Sequence, residues 1–197
     1  MKKLLILTGL SICLLARPQF AAASPSYYLA PTGSNKLDLS KLAALAPTFG
    51  ITVKAFANTK EVSPGVFKLP IVGGGFDAAD SVIESVSTGG FNISNGTSSI
   101  TFSAPIVNTI ETQPIVTFLV TLDGTLQGRF ALLNLASPAP AAVTVAAGDA
   151  VKVKPTAATL SDGGASFLNQ AFGTTVFTSG TAVGTVTVRA VVGGPIP

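Results

Sequence analysis

Residues 66–108 read VFKLPIVGGGFDAADSVIESVSTGGFNISNGTSSITFSAPIVN, and this stretch decides the fold. Within it Ser98, Ile100 and Phe102 alternate with Ser99, Thr101 and Ser103. A period of two puts one row of side chains on a core and the other in water, the pattern of a half-buried strand. Gly73-Gly74-Gly75 and Gly89-Gly90 punctuate the stretch as turns, because glycine takes positive φ without steric cost. A phosphate-binding loop at Gly73 is disfavoured. It needs a helix amino-terminus and a Lys or Ser/Thr at fixed spacing, whereas Phe76-Asp77 follows here.

The same idiom continues toward the carboxyl end. Val116 to Leu133 reads as a hairpin, with Val116, Phe118 and Val120 on one strand and Leu126, Phe130 and Leu132 on the other. A three-residue loop, Leu122-Asp123-Gly124 with a bulge at Gly124, pairs Val120 with Leu126 and Val116 with Phe130, apolar on apolar. Ser137-Pro138-Ala139-Pro140 is a break or edge loop, followed by short strands at Val143-Thr144-Val145 and Val151-Lys152-Val153 around a Gly148-Asp149 turn. Leu168, Ala171 and Phe172 fall on one helical face, and Gly173 stands where a helix ends. Val186, Val188 and Ala190, alternating with Thr185, Thr187 and Arg189, form the closing strand.

Toward the amino end, Ile51, Val53 and Ala55 oppose Thr52, Lys54 and Phe56 in one strand, and Val66 to Ile71 forms the next. Asp38 is placed to cap a short helix through Leu45 that Pro47 ends. Ser24 to Lys36 is polar and unpatterned, a lead-in segment in which Tyr27 and Tyr28 read as a strand start packing one ring inward rather than as a ligand platform. With many short strands, one short helix in the carboxyl-terminal half and no β-α-β alternation, the fold class is all-β: a single antiparallel β-sandwich or barrel-like domain. The chain divides into residues 1–23, a signal peptide, 24–48, the lead-in with a short helix, and 49–197, the β-domain.

Lys2 and Lys3, the apolar run Leu4 to Ala16 and the terminal Ala21-Ala22-Ala23 make up the three parts of a secretory signal, with cleavage after Ala23. The apolar core is broken by Arg17-Pro18 and falls short of the roughly 20 residues needed to span a bilayer. Cys13 lacks a lipoprotein setting, since a bulky Ile12 precedes it. Cleavage removes Lys2, Lys3 and Arg17, so 12 basic residues become 9, against 9 acidic ones, and the net charge of the mature chain falls to zero. Such a chain carries no overall charge to attract nucleic acid or an anionic membrane. The expected location is secreted, periplasmic or at the cell surface, with no membrane span after cleavage.

Catalytic chemistry is thinly supplied. The chain has no histidine, and its one cysteine leaves with the signal, so the commonest general base, the thiol nucleophile and the usual zinc ligands are missing. Asp77, Asp80 and Glu84 fall at helical spacing, either a calcium or acid/base cluster or, on the plainer reading, one polar turn of helix or an exposed loop. Ser40-Lys41 is a nominal nucleophile and base. Asn92-Ile93-Ser94 and Asn95-Gly96-Thr97 match glycosylation sequons but read as turn residues in a chain with a bacterial-type signal. The chain is therefore read as non-enzymatic, with no resident cofactor and no metal site.

The order of motifs resembles a known family. Leu69-Pro70-Ile71-Val72-Gly73-Gly74, Ser87-Thr88-Gly89-Gly90-Phe91-Asn92-Ile93, Phe102-Ser103-Ala104-Pro105-Ile106-Val107, Ala158-Thr159-Leu160 with the Ala165 to Phe172 helix, and Phe177-Thr178-Ser179-Gly180-Thr181 resemble the HtaA domain of secreted bacterial haem-uptake proteins. The resemblance runs from about Phe49 to Val191. It implies a β-domain and export, and as an alternative cofactor it implies haem. That family opens with an aromatic and basic segment that supplies an axial tyrosine, with a histidine nearby, and this chain departs from it by having no histidine. Tyr27 and Tyr28 are the only residues left to ligate an iron. The leading expectation is an exported binding or cell-surface structural module whose partner is a protein, a surface or a small apolar ligand. The alternative is a haem or other apolar-ligand binding protein of HtaA-like type.

Overall fold

The computed structural model describes residues 26–110, 112–137 and 144–196. The signal-peptide reading of residues 1–23, and most of the break at Ser137 to Pro140, lie outside them. Among the described residues there are eleven strands: β1 (Ser26–Asp38), β2 (Thr52–Phe56), β3 (Lys60–Ser63), β4 (Val66–Asp77), β5 (Val82–Ser87), β6 (Gly90–Ser94), β7 (Ser99–Asn108), β8 (Ile115–Leu122), β9 (Thr125–Leu135), β10 (Ala150–Leu160) and β11 (Ala182–Pro195). Helix α1 (Ser40–Leu45) runs into a single 3-10 turn (Ala46–Phe49), and α2 (Asp162–Phe172) precedes the last strand.

The pairings close on themselves. Taken in the order β7, β5, β4, β1, β11, β10, β9, β8, each strand is antiparallel to the next, and β8 pairs back onto β7. Closure of this kind leaves no open edge in the ring, which suits an all-β chain without disulfides. The other strands decorate the ring. β6 continues β5 beyond the Gly89-Gly90 bend and carries β2 on its far side, while β3 pairs with the first residues of β4.

Inward side chains form one core. Phe67, Phe91, Phe102 and Phe118 are fully buried and interlock: Phe91 stacks on Phe67 and Phe102 at 5.5 and 5.1 Å and meets Phe118 edge-on at 5.4 Å. Offset and edge-to-face pairs of this kind contribute beyond the area they bury. One polar group sits among these residues. Asn35 of β1 is fully buried, and its Nδ2 donates to Ser85 Oγ at 2.9 Å and Ser87 Oγ at 3.0 Å, while Ser85 Oγ donates back to Asn35 Oδ1 at 3.0 Å.

The alternation expected for β2, β7 and β11 and the helix at α2 are present. Ser161 Oγ accepts from Gly164 N at 2.9 Å as N-cap of α2, and Gly173 closes it in the left-handed conformation at φ 62°. Several expectations are corrected. The polar lead-in is strand β1, paired on both sides, with β4 and with β11. Its period is hidden because register shifts between Tyr28 and Ser34 break the alternation. Gly73-Gly74-Gly75 is not a turn but lies inside β4, where the register to β5 shifts. At Gly74, with φ 137°, a Cβ atom would fall 2.0 Å from the Glu84 carbonyl oxygen, so glycine here permits close backbone approach. Asp77, Asp80 and Glu84 form no helical turn, and Asn92 is a strand residue of β6, whereas Asn95 does cap a turn by accepting from Thr97 N and Ser98 N. Thr144 and Val145 form no strand. Asp38 accepts from Ser40 N ahead of α1, but the N-cap residue is Leu39, and the helix continues past Ala46 as a 3-10 turn.

The β8–β9 hairpin also differs from expectation. Leu122 pairs with Thr125 across a two-residue Asp123-Gly124 turn, both with positive φ (47° and 81°), as a type I′ turn requires. The register shifts later, first at Gln127, so that Val120 faces Gly128 and Phe118 faces Phe130, and again at Leu132, so that Val116 faces Leu133. The primed turn matches the right-handed twist of the strands, and the extra residue restores apolar pairing further along.

Candidate functional site

The structure separates the groups that the sequence marked for chemistry. Tyr27 and Tyr28 sit at the start of β1, and their environments differ. Tyr27 is half-buried, and its hydroxyl donates to the Val145 carbonyl at 3.2 Å. Tyr28 is 51% exposed. It pairs with Gly75 on β4, and on the other side Gly193 of β11 lies against its carbonyl, so backbone without side chains flanks it on both sides.

The acidic residues do not converge on a reaction centre. Asp77 Oδ1 accepts from Ala79 N at 2.8 Å, and Glu84 Oε2 accepts from Asn108 Nδ2 at 3.2 Å, both structural roles. Ser40 Oγ donates to Asp38 Oδ1 at 2.6 Å rather than engaging Lys41. Among the described residues no group of three or more His, Cys, Asp or Glu is placed to hold a metal ion.

A different place in the molecule offers an apolar site. Leu42 of α1, Ala46 and Phe49 of the 3-10 turn, Ile51, Val53 of β2, Ile93 of β6 and Phe177 line one notch. The local sequence explains why it forms. The 3-10 turn projects Phe49 outward, 40% exposed, while Ala46 and Ile51 on either side stay buried. Phe177 comes from the loop after α2, held at both backbone polar groups by one side chain: Asn169 Nδ2 donates to Phe177 O at 2.8 Å, and Asn169 Oδ1 accepts from Phe177 N at 3.0 Å. The ring of Phe177 lies 6.3 Å from Phe49 and 6.4 Å from Phe172, an aromatic cluster across the mouth. The notch encloses about 10 Å³ as it stands, room for about one water. Anything larger would require Phe49, which is exposed, and the half-buried Phe177 to turn aside.

The two candidate regions lie at opposite ends of β1. Ten residues separate Tyr28 from Asp38, about 33 Å at the rise of an extended strand and somewhat less with the bulge, and α1 begins two residues later. Neither tyrosine reaches the notch. Sequence reading missed the notch because its walls come from three stretches far apart in the chain, residues 42–53, Ile93 and Phe177.

No protein-family model matches the sequence, and no curated protein is significantly similar to it. Solved structures do match. The C-terminal domain of HtaA from Corynebacterium glutamicum superposes with a TM-score of 0.61 at 17% identity, over 86% of this chain and 100% of that one. The fold is HtaA-like. HtaB from the same organism, a haem-binding protein, matches with a TM-score of 0.58 at 12% identity, over 85% of this chain and 94% of that one. A domain-swapped dimeric variant of the HtaA C-terminal domain matches at 0.53 and 18% identity, over 73% of this chain and 84% of that one. An HtaA-like fold therefore runs through most of the chain.

Tested against an iron porphyrin, the residues of this HtaA-like domain fit in part. The notch lining is apolar and aromatic, but at about 10 Å³ it holds no macrocycle as it stands, and none of its side chains can ligate iron. Tyr28 offers a phenol and no apolar pocket. The two requirements of a ligated haem are not met in one place.

Proposed function

We propose that this chain is an exported, non-enzymatic binding module that takes a flat apolar ligand of the haem class at the Phe49–Phe177 notch, without an axial bond from the notch walls. The observation that carries the reading is the notch itself: seven apolar side chains from three separated stretches of chain, with two ring-bearing residues at the mouth. The HtaA-like fold and its haem-binding neighbour HtaB support the ligand class. Burial of a planar apolar face against Phe, Leu, Ile and Val supplies the affinity, at about 25 cal/mol per Å² of apolar surface removed from water.

The test is a haem titration of the chain from Ser24 followed by absorbance. The expected result is uptake saturating at one haem per chain, with a spectrum that lacks tyrosinate character. Phe49→Ala with Phe177→Ala is expected to abolish it, and Tyr27→Phe with Tyr28→Phe to leave it unchanged. A high-spin tyrosinate spectrum lost in Tyr28→Phe overturns the siting and moves the ligand to the start of β1. Failure to saturate removes haem and leaves the broader reading of a surface or structural module.

A further inference from the structure

The outward face of the ring carries a second site, built from charge. Strands β4, β1, β11 and β10 lie side by side, and a groove of about 310 Å³ runs over them, lined by Ser34, Lys36, Lys68, Lys152, Thr187 and Arg189. Register creates the cluster. Lys36 pairs directly with Lys68, Lys60 of β3 with the same Lys68, Lys152 with Arg189, and Ser34 with both Arg189 and Pro70. Strands run about 4.8 Å apart, so five cations from five strands are held in two adjacent rows.

Folding does not favour such an arrangement. Like charges directly opposite on neighbouring strands destabilise a sheet. Among the described residues no carboxylate pairs with Lys36, Lys68, Lys152 or Arg189. These positions hold five of the nine basic residues that remain after signal cleavage, so in a chain of zero net charge the cations are gathered onto one face. The floor of the groove is a second, independent sign. Ser34 and Thr187 are 8% and 9% exposed, both line the groove, and among the described residues neither hydroxyl has a side-chain hydrogen bond. A hydroxyl kept at the bottom of a cationic groove, with its donor free, has the chemistry to meet an oxyanion.

The geometry points to a binding site for a multiply charged anion of the oligophosphate class, its oxygens accepting from Ser34 and Thr187 and its charge met by Lys36, Lys68, Lys152 and Arg189. A phosphate chain suits two rows of cations better than a single carboxylate does, because successive groups along it can meet successive strands. The phosphate can be free in solution or displayed on a lipid headgroup, and the chemistry of recognition is the same. No residue of the groove lines the Phe49–Phe177 notch, so the two sites stand or fall separately.

The experiment is calorimetric titration of the chain from Ser24 with tripolyphosphate at low salt. Saturation at one per chain is expected. Lys68→Thr and Arg189→Gln are each expected to weaken it about tenfold, the scale of one charge-assisted contact, and Lys54→Thr on β2 to change nothing. Thermal melts run beside the titrations separate binding from structure: Lys68→Thr is expected to melt no lower than the parent, so loss of binding cannot come from loss of fold. Flotation with phosphatidic acid vesicles then assigns the source. Capture that tripolyphosphate reverses supports the site with a headgroup as its ligand, and tripolyphosphate binding without capture supports it with a soluble one. Non-saturating uptake, an equal response in Lys54→Thr, or displacement by sulfate at matched ionic strength as readily as by tripolyphosphate overturns the proposal.

Discussion

The inner and outer faces of β4, β1 and β11 are built from the same strands and obey opposite rules. Inside, Phe67, Leu69, Leu37, Val186 and Val188 are buried to within 2% and every polar atom is answered, Asn35 by Ser85 and Ser87. Outside, one residue along each strand, Lys68, Lys36, Thr187 and Arg189 face a groove with like charge against like. The inner face is organised for stability, whereas the outer face gives up stability for recognition. Mutation tests that division, because inner changes are expected to cost folding free energy and outer ones to return some.

The largest effect is expected at Phe91, which touches three other buried rings. Phe91→Ala should destabilise the domain by about 3–5 kcal/mol, read as a lower midpoint in chemical denaturation. A loss below 1 kcal/mol would mean that the ring cluster is not the centre of the core.

Next comes the buried bridge. Asn35→Ala leaves two serine hydroxyls without their partner and is expected to cost about 1–3 kcal/mol. The triple change Asn35→Leu, Ser85→Ala, Ser87→Ala sharpens the point. It removes all the polar groups together and is expected to recover most of that loss, since the penalty lies in leaving a buried group unpaired.

On the outer face the sign reverses. Lys68 stands opposite both Lys36 and Lys60, and Lys68→Thr is expected to raise stability by about 0.2–1 kcal/mol at low salt. The gain should shrink as salt is added, because screening already relieves the repulsion in the parent chain. A salt-independent loss of stability would break the contrast between the faces. The smallest effect is expected at the exposed Tyr28, where Tyr28→Phe should shift stability by no more than about 0.5 kcal/mol.

What the sequence made legible was local. Alternation in β7 and β2, the glycine bend at Gly89-Gly90, and a helix with Leu168, Ala171 and Phe172 on one face that Gly173 ends each depend on residues close in the chain, and each is present. β1 was hidden because its inward row runs Leu29, then Asn35 and Leu37 across a bulge, and because one inward residue is polar. Gly73 to Gly75 read as a turn because the same freedom that makes a turn also lets a strand bulge toward Glu84. The notch and the groove were not legible at all. Lys60, Lys68, Lys36, Arg189 and Lys152 look like scattered surface charges until the register of five strands is known, and no local pattern encodes it.

The seam of the ring has a consequence for the order of assembly. β1, the first strand of the described chain, is held between β4 and β11, the last, with Leu37 paired to Val186. A chain that emerges amino-terminus first from a ribosome or a translocon presents β1 long before its second neighbour exists. Until β11 arrives the ring stays open, one flank of β1 is unpaired, and the hydrophobic interior cannot seal. Contacts so distant in sequence slow folding. The molecule therefore cannot lock into its final shape until β11 has been made.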